Sequence, residues 1–324
     1  MKAVVCKQLG PIENLSVEEI DRPVLKDHEL LVEVKAAGVN FPDALVVQGK
    51  YQVVPEVPYV PGAEGAGVIR EVGSAVKRYA VGDEVTFTAL GGAYASFIAL
   101  PETACLPKSP EMSFEQAAGF TITYATSYYA LKQRAHLSPG ETVLVLGAAG
   151  GVGTSCIELA KAMGARVIAA ASSDEKLAFA QSKGADEVIN YQSDDLKARV
   201  KELTNGRGVD VVYDPVGGSL AQLALRCIAW DGRYLVVGFA SDEIPQFAAN
   251  LTLVKGASIS GVWWGAWAQR DPKAAFGNHM ELLEMVSSGV LNPQVSKSFP
   301  LSEVVDAFKE LTERRVLGKI VLTL

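Results

Sequence analysis

Histidine and cysteine are scarce: 324 residues hold three of the first and four of the second. His28, His136 and His279 stand far apart, and none sits at helical spacing from another ligand-type residue. Cys6, Cys105, Cys156 and Cys227 form no CxxC or CxH pair, which excludes a zinc ribbon or finger and leaves no metal site expected. Nothing points to secretion, so four scattered thiols read as reduced cysteines of a cytoplasmic protein. Positive charge is in deficit, with 30 Lys and Arg against 37 Asp and Glu and a net charge of −7. The basic stripe of a nucleic-acid binder is missing. No apolar run nears the roughly 18–20 residues that cross a bilayer. The opening MKAVVCKQLGP is too short in apolar residues for a signal peptide. Neither nucleic acid nor a membrane is an expected partner.

What is present is the balance of a globular protein, 49% hydrophobic and 21% charged, long enough for two domains. The first 120 residues read as strands and turns. β-branched alternation marks Leu30 to Val34, Gly67 to Val72 and Val85 to Thr88, with Pro55, Pro58, Pro61 and Gly62 as punctuation. From Thr142 the period changes. Strands are expected at Thr142 to Leu146, Arg166 to Ala170, Glu187 to Asn190, Val209 to Tyr213, Arg233 to Gly238 and Ser258 to Val262, with helices between them. Such βαβ alternation predicts an α/β unit, a doubly wound parallel sheet covered on both faces. The tail changes again, with helices over His279 to Ser288 and Leu301 to Arg314 and a last strand over Gly318 to Leu324. The expected domains are therefore 121–264, and 1–120 joined by 265–324.

A glycine-rich string, GAAGGVG from Gly147 to Gly153, follows the first βα strand and precedes a helix. This is the dinucleotide position of a doubly wound sheet. Gly150 lets the backbone approach a pyrophosphate, Gly153 lets the helix pack on the strand, and the helix N-terminus, at Gly151 and Val152, favours an anion. An NAD site usually ends its second strand on an acid. Here the tip is Ala171-Ser172-Ser173, with Asp174 in the next helix's first turn and Ser172 at capping-box spacing from Glu175. Small hydroxyls with Lys176, and Tyr191 after the third strand, suit a 2′-phosphate. The cofactor expected is NADPH.

The chain resembles, over its full length, the zinc-independent quinone oxidoreductases of the medium-chain dehydrogenase/reductase superfamily, the ζ-crystallin-like group. The matching segments are Gly38-Val-Asn-Phe-Pro-Asp43, Val60-Pro-Gly-Ala-Glu-Gly-Ala-Gly67, GAAGGVG, Ser172-Ser-Asp-Glu-Lys176, Ile189-Asn-Tyr191, Val212-Tyr-Asp-Pro-Val-Gly217 and Gly318-Lys-Ile-Val. The resemblance implies a GroES-like β-rich catalytic domain beside a Rossmann domain, with a cleft between them. It also implies NADPH held through Lys176 and Tyr191, and a homodimer whose sheets join edge to edge at Ser258 to Val262. Zinc-dependent members carry Cys near position 40 and Gly-His-Glu where this chain has Asn40 and Gly62-Ala63-Glu64, so no metal is expected.

Without a Lewis acid to stabilise an alkoxide, the expected reaction is hydride transfer to an electron-poor acceptor, a quinone or a conjugated carbonyl. Asn40 donates to the acceptor oxygen, fixes the nicotinamide ribose, or closes a turn. Asp43 caps the next helix and orders Asn40, or moves a proton. Tyr51 stays protonated at neutral pH and can donate, or it packs the cleft. By resemblance Thr126 and Phe239, Ala240 and Ser241 lie beside the cofactor, the last three mostly through backbone atoms. Lys319 either reaches the cofactor or is solvated, and Glu64 is a structural acid. Trp263, Trp264 and Trp267 wall the cleft or fill a subunit interface, and 241–250 and 263–277 are cleft loops. Two alternatives remain open. One is an enoyl-thioester reductase with Tyr51 as proton donor. The other is a non-catalytic, crystallin-like NADPH-binding protein.

Overall fold

Alternating β-branched residues give the start of the chain its strands. They are β1 (Lys2–Val5), β2 (Ser16–Glu19), β3 (Glu29–Gly38), β4 (Glu64–Val72), β5 (Glu84–Thr88), β6 (Phe97–Pro101) and β7 (Cys105–Pro107). One short helix, α1 (Phe41–Val47), leaves β3 at Asn40, where Pro42 and Asp43 suit a first turn. The computed structural model describes all 324 residues. They form two units, Met1–Ile122 with Asn292–Leu324, and Thr123–Leu291.

The division falls within α2 (Phe114–Tyr129), which ends in a π-helical turn, Ala130–Arg134. The second unit then alternates regularly. β8 (Thr142–Leu146), β9 (Arg166–Ala171), β10 (Glu187–Asn190), β11 (Val209–Asp214), β12 (Ile228–Val236) and β13 (Ser258–Gly261) form one parallel sheet in the order β10-β9-β8-β11-β12-β13. Helices α3 (Gly151–Ala162), α4 (Asp174–Ser182), α5 (Leu196–Leu203), α6 (Gly218–Arg226) and α7 (Ala249–Lys255) make the crossovers. Every residue of β8 is buried, as an unbroken TVLVL run in a covered sheet requires. Winding runs outward from β8 through β9 to β10, then outward from β11 through β12 to β13. The switch point lies between β8 and β11, and in such sheets ligands bind outside the carboxyl ends of the strands there.

The segment 265–291, expected with the first domain, belongs to the second unit. It carries α8 (Trp264–Arg270) and α9 (Pro272–Ser287) where a loop was expected up to 277. Side-chain contacts explain the placement. Trp267 stacks on Tyr129 with ring centroids 4.5 Å apart. Asn278 accepts from Lys132 at 3.1 Å and Gln133 at 3.0 Å, and Glu281 from Tyr128 at 2.5 Å. The loop expected at 241–250 likewise ends in α7, which buries none of its residues.

After Asn292 the chain adds β14 (Val295–Pro300), α10 (Val304–Thr312) and β15 (Lys319–Thr323) to the first unit. The seven-stranded sheet there runs β14-β15-β3-β4-β5-β7, with β6 also on β3. Its core includes Leu30, Val32, Ile69, Phe87, Phe308 and Leu322. All four cysteines are free and buried.

Candidate active site

The second unit gathers most of the expected cofactor residues at the carboxyl edge of its sheet. Gly147 leaves β8 at φ +57°, a conformation that favours glycine. A Cβ at Gly153 would collide with the Gly147 carbonyl and stand 2.9 Å from Ala148 Cα, so only glycine lets α3 begin there. Gly150 precedes α3 without a side-chain cap, leaving the N–H groups of Gly151 and Val152 for an anion. At the next tip the N-cap of α4 is Ser173, not Ser172: its Oγ accepts from the Lys176 N–H at 3.4 Å. Ser172 Oγ instead accepts from Lys176 Nζ at 3.3 Å. Tyr191 follows β10, its N–H bonded to the Ala171 carbonyl at 3.1 Å. Two small hydroxyls and one ammonium thus stand at the end of β9, and Tyr191, its ring partly buried against the core, at the end of β10. This set fits a phosphomonoester.

Sequence reasoning missed Asp214. It is 1% exposed at the end of β11. One oxygen accepts from the N–H groups of Val216 at 2.8 Å and Gly217 at 2.9 Å, the other from Tyr234 OH at 2.6 Å. Burial pushes its carboxyl up despite those donors. The loop it fixes receives the next one: Ala240 N–H donates to Pro215 O at 3.0 Å and Ser241 N–H to Val216 O at 2.9 Å. These N–H groups, expected beside the cofactor, are engaged within the protein. The Phe239 ring remains, its carbonyl accepting from the Asp242 N–H at 2.9 Å, while Ser241 Oγ donates to Glu243 O at 3.3 Å. Thr126 is half-buried on α2 next to Ser127, whose hydroxyl lies 2.8 Å from both Ser155 Oγ and Tyr213 OH.

In the first unit, Asn40, Asp43, Glu64 and Lys319 form one buried network. Lys319 is neither solvated nor free to reach a ligand, being 7% exposed. Its three N–H bonds go to Val39 O at 3.1 Å, Asn40 Oδ1 at 2.6 Å and Glu64 Oε1 at 2.7 Å. Glu64 also accepts from Asn40 Nδ2 at 3.0 Å and from Ile122 N–H at 2.8 Å. An ammonium at the oxygen and a carboxylate at the nitrogen fix the Asn40 amide, leaving one Nδ2 hydrogen to offer. Gly119 makes room, since a Cβ there would stand 2.7 Å from Lys319 Cγ.

Asp43 Oδ2 accepts from Asn40 N–H at 2.9 Å and Tyr94 OH at 3.0 Å. Burial raises its carboxyl to about 6, against the opposing pull of Asn40 N–H, Lys319 and Tyr94. Tyr51 lies half-buried just beyond α1. Burial, and then the Asp43 carboxylate, push its phenol above the ordinary value. The donor set does not suit a metal. No three His, Cys, Asp or Glu side chains converge, and both Glu64 oxygens already accept hydrogen bonds.

Comparison with known proteins gives two family matches: "Alcohol dehydrogenase GroES-like domain" over residues 26–111 and "Zinc-binding dehydrogenase" over residues 151–282. "Quinone oxidoreductase-like protein 2 homolog" of Nematostella vectensis is 42% identical, over 99% of this chain and 88% of the relative. The Escherichia coli quinone oxidoreductase complexed with NADPH superposes with a TM-score of 0.94 at 30% identity, covering 100% of both chains. The CurK enoyl reductase superposes at 0.90 with 29% identity, over 99% of this chain and 98% of that one.

Proposed function

Because the chain belongs to the quinone oxidoreductase family of the medium-chain dehydrogenase/reductase superfamily, we propose that it is a metal-free, NADPH-dependent reductase of quinones or other conjugated carbonyls. The N–H groups of Gly151 and Val152, beside Gly150, hold the pyrophosphate. Ser172, Ser173, Lys176 and Tyr191 hold the 2′-phosphate, and Thr126 and Phe239 flank the nicotinamide. Bound NADPH supplies the hydride.

The observation that carries the reading is the Asn40–Glu64–Lys319 triangle. It neutralises the acid and the base beside Asn40, so the groups left to meet an acceptor are donors. One Asn40 Nδ2 hydrogen steadies the oxygen on which negative charge develops. Tyr51, protonated at neutral pH, gives the proton that completes reduction. Donors serve a reaction that gains electrons, whereas an alcohol substrate would need a base or a metal. β13, hydrogen-bonded on one side only and carrying the exposed Ile259, is the edge through which two copies pair.

A second reading, an enoyl-thioester reductase, is favoured by the raised Tyr51 phenol and the likeness to the CurK enoyl reductase. One assay separates the two. Chelator-treated protein is given NADPH, or NADH as control, with benzoquinone, phenanthrenequinone, an alkenal or crotonyl-CoA, and nicotinamide absorbance is followed. We expect quinone turnover that is insensitive to chelator and weak with NADH. Preference for crotonyl-CoA, lost by about a hundredfold or more in Tyr51→Phe, moves the assignment to the thioester. NADPH binding without oxidation of any acceptor leaves a non-catalytic binding protein.

A further inference from the structure

The turn that would receive the 2′-phosphate also carries charge that opposes it. In Ser173-Asp174-Glu175-Lys176 two carboxylates stand beside one ammonium, and Asp174 is the first residue of α4, exposed at the tip of β9. A carboxylate free to swing there repels a phosphate and can accept the hydroxyls of an unphosphorylated ribose.

Asn190 removes that freedom. It ends β10 opposite Ala171, so its side chain stands beside the β9 tip. Its Nδ2 donates to Asp174 Oδ1 at 3.0 Å. The orientation of the amide is set from its other end, where Oδ1 accepts the Gln192 N–H at 3.1 Å. The amide nitrogen therefore faces Asp174. On the other side of the same turn Lys176 Nζ reaches Ser172 Oγ at 3.3 Å.

We propose that Asn190 is a specificity-determining positioning residue: by holding Asp174 aside, it makes the β9–β10 tip accept a 2′-phosphate and refuse a bare ribose. The proposal rests on the NADPH reading above and adds the residue that enforces it. The step is electrostatic and local, so it acts on cofactor choice and not on the acceptor.

The test is calorimetric binding of 2′,5′-ADP and 5′-AMP, which needs no turnover. The wild-type protein is expected to bind 2′,5′-ADP more tightly. In Asn190→Ala the ratio of the two affinities should fall about tenfold, the size of a mobile like charge near a phosphate in water. In Asn190→Ala/Asp174→Asn it should return to the wild-type ratio, because the charge that Asn190 restrains is gone. A wild-type protein that does not prefer the phosphorylated ligand overturns the NADPH reading and this proposal with it. A wild-type preference that survives in Asn190→Ala overturns the proposal alone. So does a loss that the double variant fails to restore, since Asn190 would then act through the 190–194 turn. Melting temperatures of both variants establish that each is folded.

Discussion

Replacing Lys319 by methionine keeps much of the side chain's bulk and deletes its charge. Glu64, 0% exposed, would then face a low-dielectric interior with only Asn40 Nδ2 and the Ile122 N–H as donors. Breaking a buried pair by removing one partner costs about 3–5 kcal/mol, because the stranded charge keeps its desolvation penalty. Asn40 loses its 2.6 Å donor at the same time. For a unit of this size that loss lowers the melting temperature by about 6–20 °C, at roughly 2–4 °C per kcal/mol. The decisive comparison is Lys319→Met/Glu64→Gln. With no charge left to strand, most of the lost stability should return, since a buried ion pair is worth little against neutral groups of similar volume. Calorimetric melts of wild type, single and double variants make the measurement. A single variant that melts within about 2 °C of wild type, or a double no more stable than the single, would refute the account of Lys319 as Glu64's obligatory partner.

Two further outcomes follow from burial. The Asp43 carboxyl is raised from 3.8 to about 6, so the folded state binds more protons than the unfolded state between those values. Its contribution is fully present below the lower value and is lost as pH rises through the upper, about 3 kcal/mol in all. Melting temperatures of wild type measured against Asp43→Asn should therefore fall from about pH 4 to pH 7, and a flat difference would contradict the buried-acid assignment. Gly153→Ala drives a methyl into the Gly147 carbonyl. It should destabilise the second unit by about 1–3 kcal/mol and weaken NADPH binding, read from nicotinamide fluorescence; an unperturbed variant would mean that α3 can shift without loss.

What the sequence disclosed tracks how locally each element is encoded. β8 and β10 fall where expected to the residue, because a buried parallel strand is a short apolar run between turns. The glycine string was legible as one segment, whereas the cap at the β9 tip fell one residue later than its Ser172–Glu175 spacing suggested. β14, with its polar VSKSFP pattern, and α7, with no buried face, carry no such period. Lys319 was opaque for another reason, although Glu64, its partner, was read as a structural acid. A lone lysine at a strand's start reads as solvated until antiparallel pairing of β15 with β3 brings it beside Val39 and Asn40. The same holds for 265–291, whose place depends on stacking and amide contacts with α2 and the turn that follows it.

That pairing of β15 with β3 also orders events on the ribosome. The first unit's sheet starts with β3 and is not complete until Lys319–Thr323, some 280 residues later in the chain, leave the exit tunnel. Translation runs at about 5–20 residues per second, so the Ala36–Gly38 end of β3, beyond the stretch that β6 covers, waits some tens of seconds for its partner, while the intervening unit, Thr123–Leu291, is synthesised and has all its strands to hand. The nascent chain is thus expected to acquire its nucleotide-binding half first, and to depend on chaperones or on a charged neighbour such as Lys35 to keep the open end of β3 from foreign partners.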